Sequence, residues 1–236
     1  MSNDSTLKTL LMATGVCVVC SVLVSGAAIA LKPIQDRNRT LDHKRNVLLA
    51  AGLLEDGQEA DIDKLYEKID ARVIDLDSGE FVKDAPAEQF DLAAAERDPK
   101  QSRELPATED IAGIRRRSNH QVVYLVREGD EIRRFVLPVH GKGLWSTMYG
   151  LVALDRDLNT VQSFAFFAHG ETPGLGGRID EPPFKEQFRN ISIDLNQGFA
   201  YGDDLDAITG ATSTSRAVLQ ILNDLLRQTL ADWEVV

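Results

Sequence analysis

The hydrophobic pattern divides the chain into a long uncharged run and a region of shorter alternating segments. Residues 10–31 are 22 positions without a charge, bracketed by Lys8 and Lys32. At 1.5 Å rise per residue that run spans roughly 33 Å, enough to cross a bilayer core. It is longer than a signal-peptide core. Ala28-Ile29-Ala30 resembles a cleavage triplet, but the run reads better as a retained single-pass anchor in the lipid bilayer. Residues 33–54 continue as a helix, with Val47, Leu48, Ala51 and Leu54 on one stripe, and Glu55-Asp56-Gly57 ends it. A second short helix is expected from Ile62, Leu65, Tyr66 and Ile69.

Period-two runs follow. Strands are expected at 72–76, 121–126, 133–139, 151–154 and 161–167, with a last one at 191–195. Asp77-Ser78-Gly79, Glu128-Gly129-Asp130-Glu131 and residues 155–159 are the turn signals. A final helix follows over 216–233, with Val218, Ile221, Leu222, Leu225 and Trp233 on one face. The pattern predicts an α+β fold class: one N-terminal transmembrane helix (residues 1–32, span about 10–31), then a single domain, 33–236, with an antiparallel sheet.

Charge modifies this picture at three places. The net charge is −11, and the 24 basic and 36 acidic residues beyond Lys32 make nucleic acid a poor partner. Residues 84–110 hold eight acidic and three basic residues with Pro86, Pro99 and Pro106, so an exposed loop-like insertion is expected. Lys32, Arg37, Arg39, Lys44 and Arg45 follow the anchor and only Lys8 precedes it; the positive-inside rule alone puts the large domain in the cytoplasm.

Cys17 and Cys20 are the two cysteines, and both lie in the apolar run. They read as two small hydrophobes there. His43, His120, His140 and His169 have no metal-ligand spacing, so no metal site is expected. No P-loop, dinucleotide fingerprint or serine-hydrolase elbow occurs.

Three stretches are unlike packing sequence. Asp206-Ala-Ile-Thr-Gly-Ala-Thr-Ser-Thr-Ser215 crowds Thr209, Thr212, Ser213, Thr214 and Ser215 around Gly210-Ala211, just ahead of the last helix. A hydroxyl-rich helix start can be a helix cap or a phosphate site, since spare amides and the helix dipole suit an anion. Gly141-Lys-Gly-Leu-Trp-Ser-Thr-Met-Tyr-Gly150 is a glycine-bounded loop presenting Trp145, Ser146 and Thr147. His169-Gly-Glu-Thr-Pro-Gly-Leu-Gly-Gly177 places four glycines and a proline directly after a strand, which suggests backbone held close to a ligand. The His169 and Glu171 pair within it reads first as structural.

Asp206-x-x-Thr-Gly-Ala-Thr212 resembles the site at which a flavin transferase attaches FMN through its phosphate to threonine. With the 143–150 and 169–176 blocks, the helix Arg45-Asn46-Val47-Leu48-Leu49-Ala50-Ala51-Gly52-Leu53-Leu54 and the anchor, the chain resembles the C subunit of the sodium-translocating NADH:quinone reductases. The resemblance covers nearly the whole chain except 84–110. It implies covalent FMN on Thr212, with its phosphate among Thr209, Gly210, Ala211, Ser213 and Thr214. It also implies flavin surroundings drawn from Trp145, Thr147, Glu171, Thr172, Gly174 and Leu175.

The implied function is electron carriage. The subunit would take electrons from one redox centre of a multi-subunit membrane complex and pass them to a second flavin, so that electrons from NADH reach ubiquinone while sodium is pumped. It would bind no NADH itself and needs no catalytic acid or base. Family membership further implies a bacterial inner-membrane location with the domain on the periplasmic side, against the flank charges. Two alternatives stand beside it: the G subunit of the related ion-pumping ferredoxin:NAD oxidoreductase, and a membrane-tethered FMN-binding sensor module.

Overall fold

In a computed structural model, residues 6–225 and 227 are described, apart from 56, 84, 193–197 and 203–204. The chain divides into two compact units, Met1–His43 and Lys44–Val236. Of the first, the described residues 6–43 are part of helix α1, Thr6–Ala50, whose large apolar side chains from Leu7 to Ile34 stand 48–73% exposed. Its mean hydropathy over the most apolar 18-residue window is 2.2, so it is long and apolar enough to span a membrane.

The second unit opens with the last turns of α1. Val47, Leu48, Ala51 and Leu54 are all buried, as their stripe predicts. The helix stops at Ala50, before the expected Glu55-Asp56-Gly57 turn. Gly52 is the reason. It takes φ +67°, the amide of Leu53 donates to the Leu48 carbonyl and that of Gly52 to the Leu49 carbonyl. This is a glycine-terminated helix end that satisfies orphan carbonyls. Arg134 Nη1 and Ser163 Oγ bind the carbonyls of Ala51 and Ala50 at 2.7 and 2.6 Å, pinning the helix end to the sheet.

After α2 (Ile62–Tyr66) comes an antiparallel six-stranded sheet in the order β1-β4-β5-β6-β7-β8. Its members are β1 Ile69–Asp75, β4 His120–Glu128, β5 Glu131–Lys142, β6 Thr147–Asp155, β7 Thr160–Ala168 and β8 Ile191–Ser192. Ile69 begins β1 instead of ending α2. The alternation of side chains sends Val122, Tyr124 and Val126 to the α1 face and Val123 and Leu125 to the other. A short helix α4, Pro182–Glu186, precedes β8, and the second face is covered by α5, Thr212–Leu225, through Val218, Ile221 and Leu222. Of the expected last strand, residues 193–195 lie outside the described residues, as does Trp233 of the expected final helix.

The expectation of a loop-like insertion at 84–110 is corrected. It carries a 3₁₀ turn, Ala87–Gln89, a helix α3, Leu92–Arg97, capped by Asp91, and strand β2, Ser102–Glu104, paired with β3, Arg116–Ser118. Ala95, Ser102 and Leu105 are buried. Three of the aspartates cap local turns: Asp91 accepts the Ala94 amide, Asp98 that of Lys100, and Asp110 those of Ile114 and Arg115. Acidity there marks local capping chemistry.

Candidate functional site

All three unusual blocks meet at one end of the sheet. β5 and β6 pair through Lys142↔Thr147, so residues 143–146 form a hairpin loop. β7 ends at Ala168 and delivers His169 beside that loop; the glycine-rich block then enters a 3₁₀ turn, Gly176–Asp180. The third block turns into α5. The Ala211 amide donates to the Ile208 carbonyl across Thr209-Gly210, and Gly210 holds φ +83°. Glycine suits that left-handed position. Ser215 staples the turn to the helix: its Oγ donates to the Ala211 carbonyl and accepts the Ile208 amide, both at 3.0 Å. Tyr201 adds a hydrogen bond from its hydroxyl to the Ser215 carbonyl, and burial pushes its phenol up to about 12.

α5 begins at Thr212, four residues ahead of the expected start at Arg216. Thr212 and Ser213 are exposed on its first turn, with Thr209 and Gly210 exposed just before them. Their amides fall where a helix has no carbonyl four residues back, so donors and dipole face outward. Ala211 is buried, and a small side chain is what fits under the turn. Thr214 is 1% exposed, and its hydroxyl donates to Glu171 Oε2. Thr214 can therefore offer a ligand only its amide.

Glu171 is the point where the blocks join. It is 5% exposed. Its Oε1 accepts the amides of Leu144 and Trp145 at 2.9 and 3.1 Å. Its own amide donates to His169 Nδ1 at 3.2 Å, and His169 Nε2 lies 2.7 Å from Asp180 Oδ2. An accepting Nδ1 puts the ring proton on Nε2, where it faces the Asp180 carboxylate. Ser146 Oγ accepts the Gly170 amide at 2.7 Å, tying the hairpin to the glycine block directly. The Thr172 carbonyl accepts the amides of Leu175 and Gly177, closing the block on itself.

The remaining residues expected at the site stand on its outer surface. Trp145 is 71% exposed and Leu175 49% exposed; Thr147, Thr172 and Gly174 are also exposed. Leu175 reaches the Thr209-Gly210 turn, since a Cβ at Gly210 would lie 3.8 Å from its Cδ2. Leu144, 54% exposed, belongs with them although it is not among the residues expected from the sequence. Its signal was an aliphatic residue between Gly143 and Trp145 in a loop. Asp180 and the Glu171–Thr214 link had no such signal. An exposed apolar group beside a helix start rich in unused donors suits a ligand with an anionic end and a flat apolar body.

Comparison with known proteins agrees with this geometry. Residues 143–227, which hold the 143–150, 169–177 and 206–215 stretches, match the family model described as an FMN-binding domain. The chain is 43% identical to the C subunit of the Na(+)-translocating NADH-quinone reductase of Pseudomonas aeruginosa, covering 94% of this chain and 92% of that one. The C subunit from Vibrio alginolyticus is 38% identical, covering 92% and 89%. Among solved structures, NqrC of Shewanella oneidensis superposes with a TM-score of 0.73 at 30% identity, over 83% of this chain and 96% of that one. The C-subunit structure from Parabacteroides distasonis shares the fold, with a TM-score of 0.61 at 24% identity over 83% and 94%.

Proposed function

Because the chain belongs to the C-subunit family of the Na(+)-translocating NADH-quinone reductases, and so to an oxidoreductase complex, we propose that it is an electron carrier, with FMN joined through its phosphate to Thr212. The observation that carries this reading is the placement of Thr212. It is an exposed hydroxyl on the first residue of α5, flanked by exposed Thr209, Gly210 and Ser213, with Leu175 against the same turn. When bound, FMN supplies reversible electron transfer; the protein's part is to hold and orient it.

The phosphodiester keeps one negative charge. The amides of Thr212, Ser213 and Thr214 and the α5 dipole would hold that charge, a partnership worth about 0.3–1 kcal/mol at an exposed helix end. The small, turned Gly210-Ala211 step leaves the Thr212 hydroxyl open to a flavin transferase during maturation. Leu144, Trp145 and Leu175 offer the apolar surface a flavin ring would cover, and Trp145 can stack on it. No side chain here is given an acid or base role. With FMN in place, electrons would arrive from one redox centre of the complex and leave for another, on the path from NADH to ubiquinone that is coupled to sodium export. We place the domain on the periplasmic side, where the transferase works.

Mass spectrometry of the peptide containing Thr212 tests the attachment. Its mass should rise by one FMN-sized group, and yellow fluorescence should survive SDS and vanish in Thr212→Ala. Flavin released by SDS from protein made with its transferase would refute the covalent reading. An alkaline-phosphatase fusion at Val236, active only when exported, tests the side of the membrane: an inactive fusion would reverse the orientation.

A further inference from the structure

The attachment at Thr212 does not explain why a carboxylate should be buried beneath it. Glu171 Oε1 takes two amides of the 143–146 hairpin and Oε2 takes the hydroxyl of Thr214 on α5. Two glycines are shaped by the same group. A Cβ at Gly143 would sit 2.6 Å from Oε1; one at Gly176 would sit 2.9 Å from Oε2 and 2.5 Å from Thr214 Oγ1. These glycines therefore let two backbones close around a carboxylate inside the protein. The hairpin needs such a hold. Leu144 and Trp145 are 54% and 71% exposed, so burying their side chains does little to fix the loop. Besides Ser146 Oγ on the Gly170 amide, its backbone must anchor it, and charge-assisted hydrogen bonds are the strong kind.

We propose that Glu171 is a positioning residue: its buried carboxylate clamps the 143–146 hairpin to the first turn of α5 and presets Leu144 and Trp145 beside the attachment residue before a flavin is present. The purpose of the clamp rests on the Thr212 reading, while its geometry does not.

The test uses the full chain in detergent, made in cells lacking a flavin transferase, with hydrogen–deuterium exchange read at the amides of residues 144 and 145. In Glu171→Ala both amides lose their acceptor, and exchange should accelerate about tenfold or more. Glu171→Gln keeps an oxygen for them and should exchange near the wild-type rate. Gly176→Ala lies on the other block, so it should speed the same two amides by displacing the carboxylate. Unchanged rates in the alanine variants, or a Glu171→Gln as fast as Glu171→Ala, would overturn the proposal. Should Glu171→Ala not fold, the other two variants decide it. Because no flavin is present, a failure of the Thr212 reading leaves these rates untouched, and a failure here leaves the mass of the Thr212 peptide untouched.

Discussion

The seat of α5 on the sheet can be tested through Gly141 and Ile221. Gly141 lies in β5, buried, and a Cβ there would run into Ile221 Cγ1 and come within 3.0 Å of the Ala112 carbonyl oxygen and Cβ. Ile221 is 1% exposed. Gly141→Ala therefore pushes α5 off the strand, and overpacking of this kind costs about 1–3 kcal/mol. Ile221→Ala instead leaves a cavity, at about 2–5 kcal/mol. In the double variant the principal clash is gone, because the cavity accepts the new methyl. The Ala112 contacts remain, so the rescue is partial, and a coupling of about 1–2 kcal/mol relative to additivity is expected. Each single change is a large fraction of the ~5–15 kcal/mol that holds a domain together. The assay is guanidinium unfolding of the four proteins in detergent, followed by far-UV circular dichroism and compared at similar m-values. The same variants report on the site, since α5 carries Thr212 and Thr214. Flavin attachment should slow in Gly141→Ala and recover in the double variant. Costs that add to within about 0.5 kcal/mol would show that Gly141 is not there to admit the helix, and would refute the reasoning.

Trp145→Ala separates function from stability: at 71% exposure its loss should move unfolding by no more than about 0.5 kcal/mol. Flavin fluorescence, in contrast, should rise as a stacking partner is lost, and an unchanged flavin spectrum would place the ring elsewhere. Phe188 is fully buried and packs edge-on to Phe164 and Phe184, so Phe188→Ala should cost about 3–5 kcal/mol in chemical unfolding. Burial raises the phenols of Tyr66, Tyr124 and Tyr201, the first and last to about 12. The unfolded chain ionises these near pH 10 while the folded one does not. Stability should thus be full below about pH 10 and fall as pH rises towards about 12, and Tyr201→Phe should blunt that fall in alkaline denaturation. Asp75 accepts the Ser78 amide first, then the Asp77 amide and the Ser78 hydroxyl, and these hold its carboxyl below the usual range. Its contribution is present above about pH 4 and is lost as pH falls through the lowered value. The melting-temperature gap between wild type and Asp75→Ala should therefore narrow in acid.

Several features were legible in the chain itself. The uncharged run declared a spanning helix because length and charge suffice to define one. The hairpins at 128–131 and 155–159 were readable because period-two burial and turn residues are local. The stripe Val47, Leu48, Ala51 and Leu54 gave the buried face of α1, and the hydroxyl-rich stretch and the two glycine blocks stood out as sequence that packing does not need.

Other features depended on partners far away in sequence. Periodicity tells that a strand has a buried face and not which strand it pairs with, so β1 joining β4 across residues 76–119 came only from the fold. The acidic stretch 84–110 reads as loop because composition counts charges but not the amides that cap with them. Glu171 was drawn towards the cofactor by its neighbours in sequence. The fold turned its carboxylate inward to residues 27, 26 and 43 positions away, at Leu144, Trp145 and Thr214. Sequence could show where chemistry is concentrated; which polar atoms are used up inside the protein is settled only when the chain closes on itself, because a hydrogen bond depends on distance in space and not along the chain.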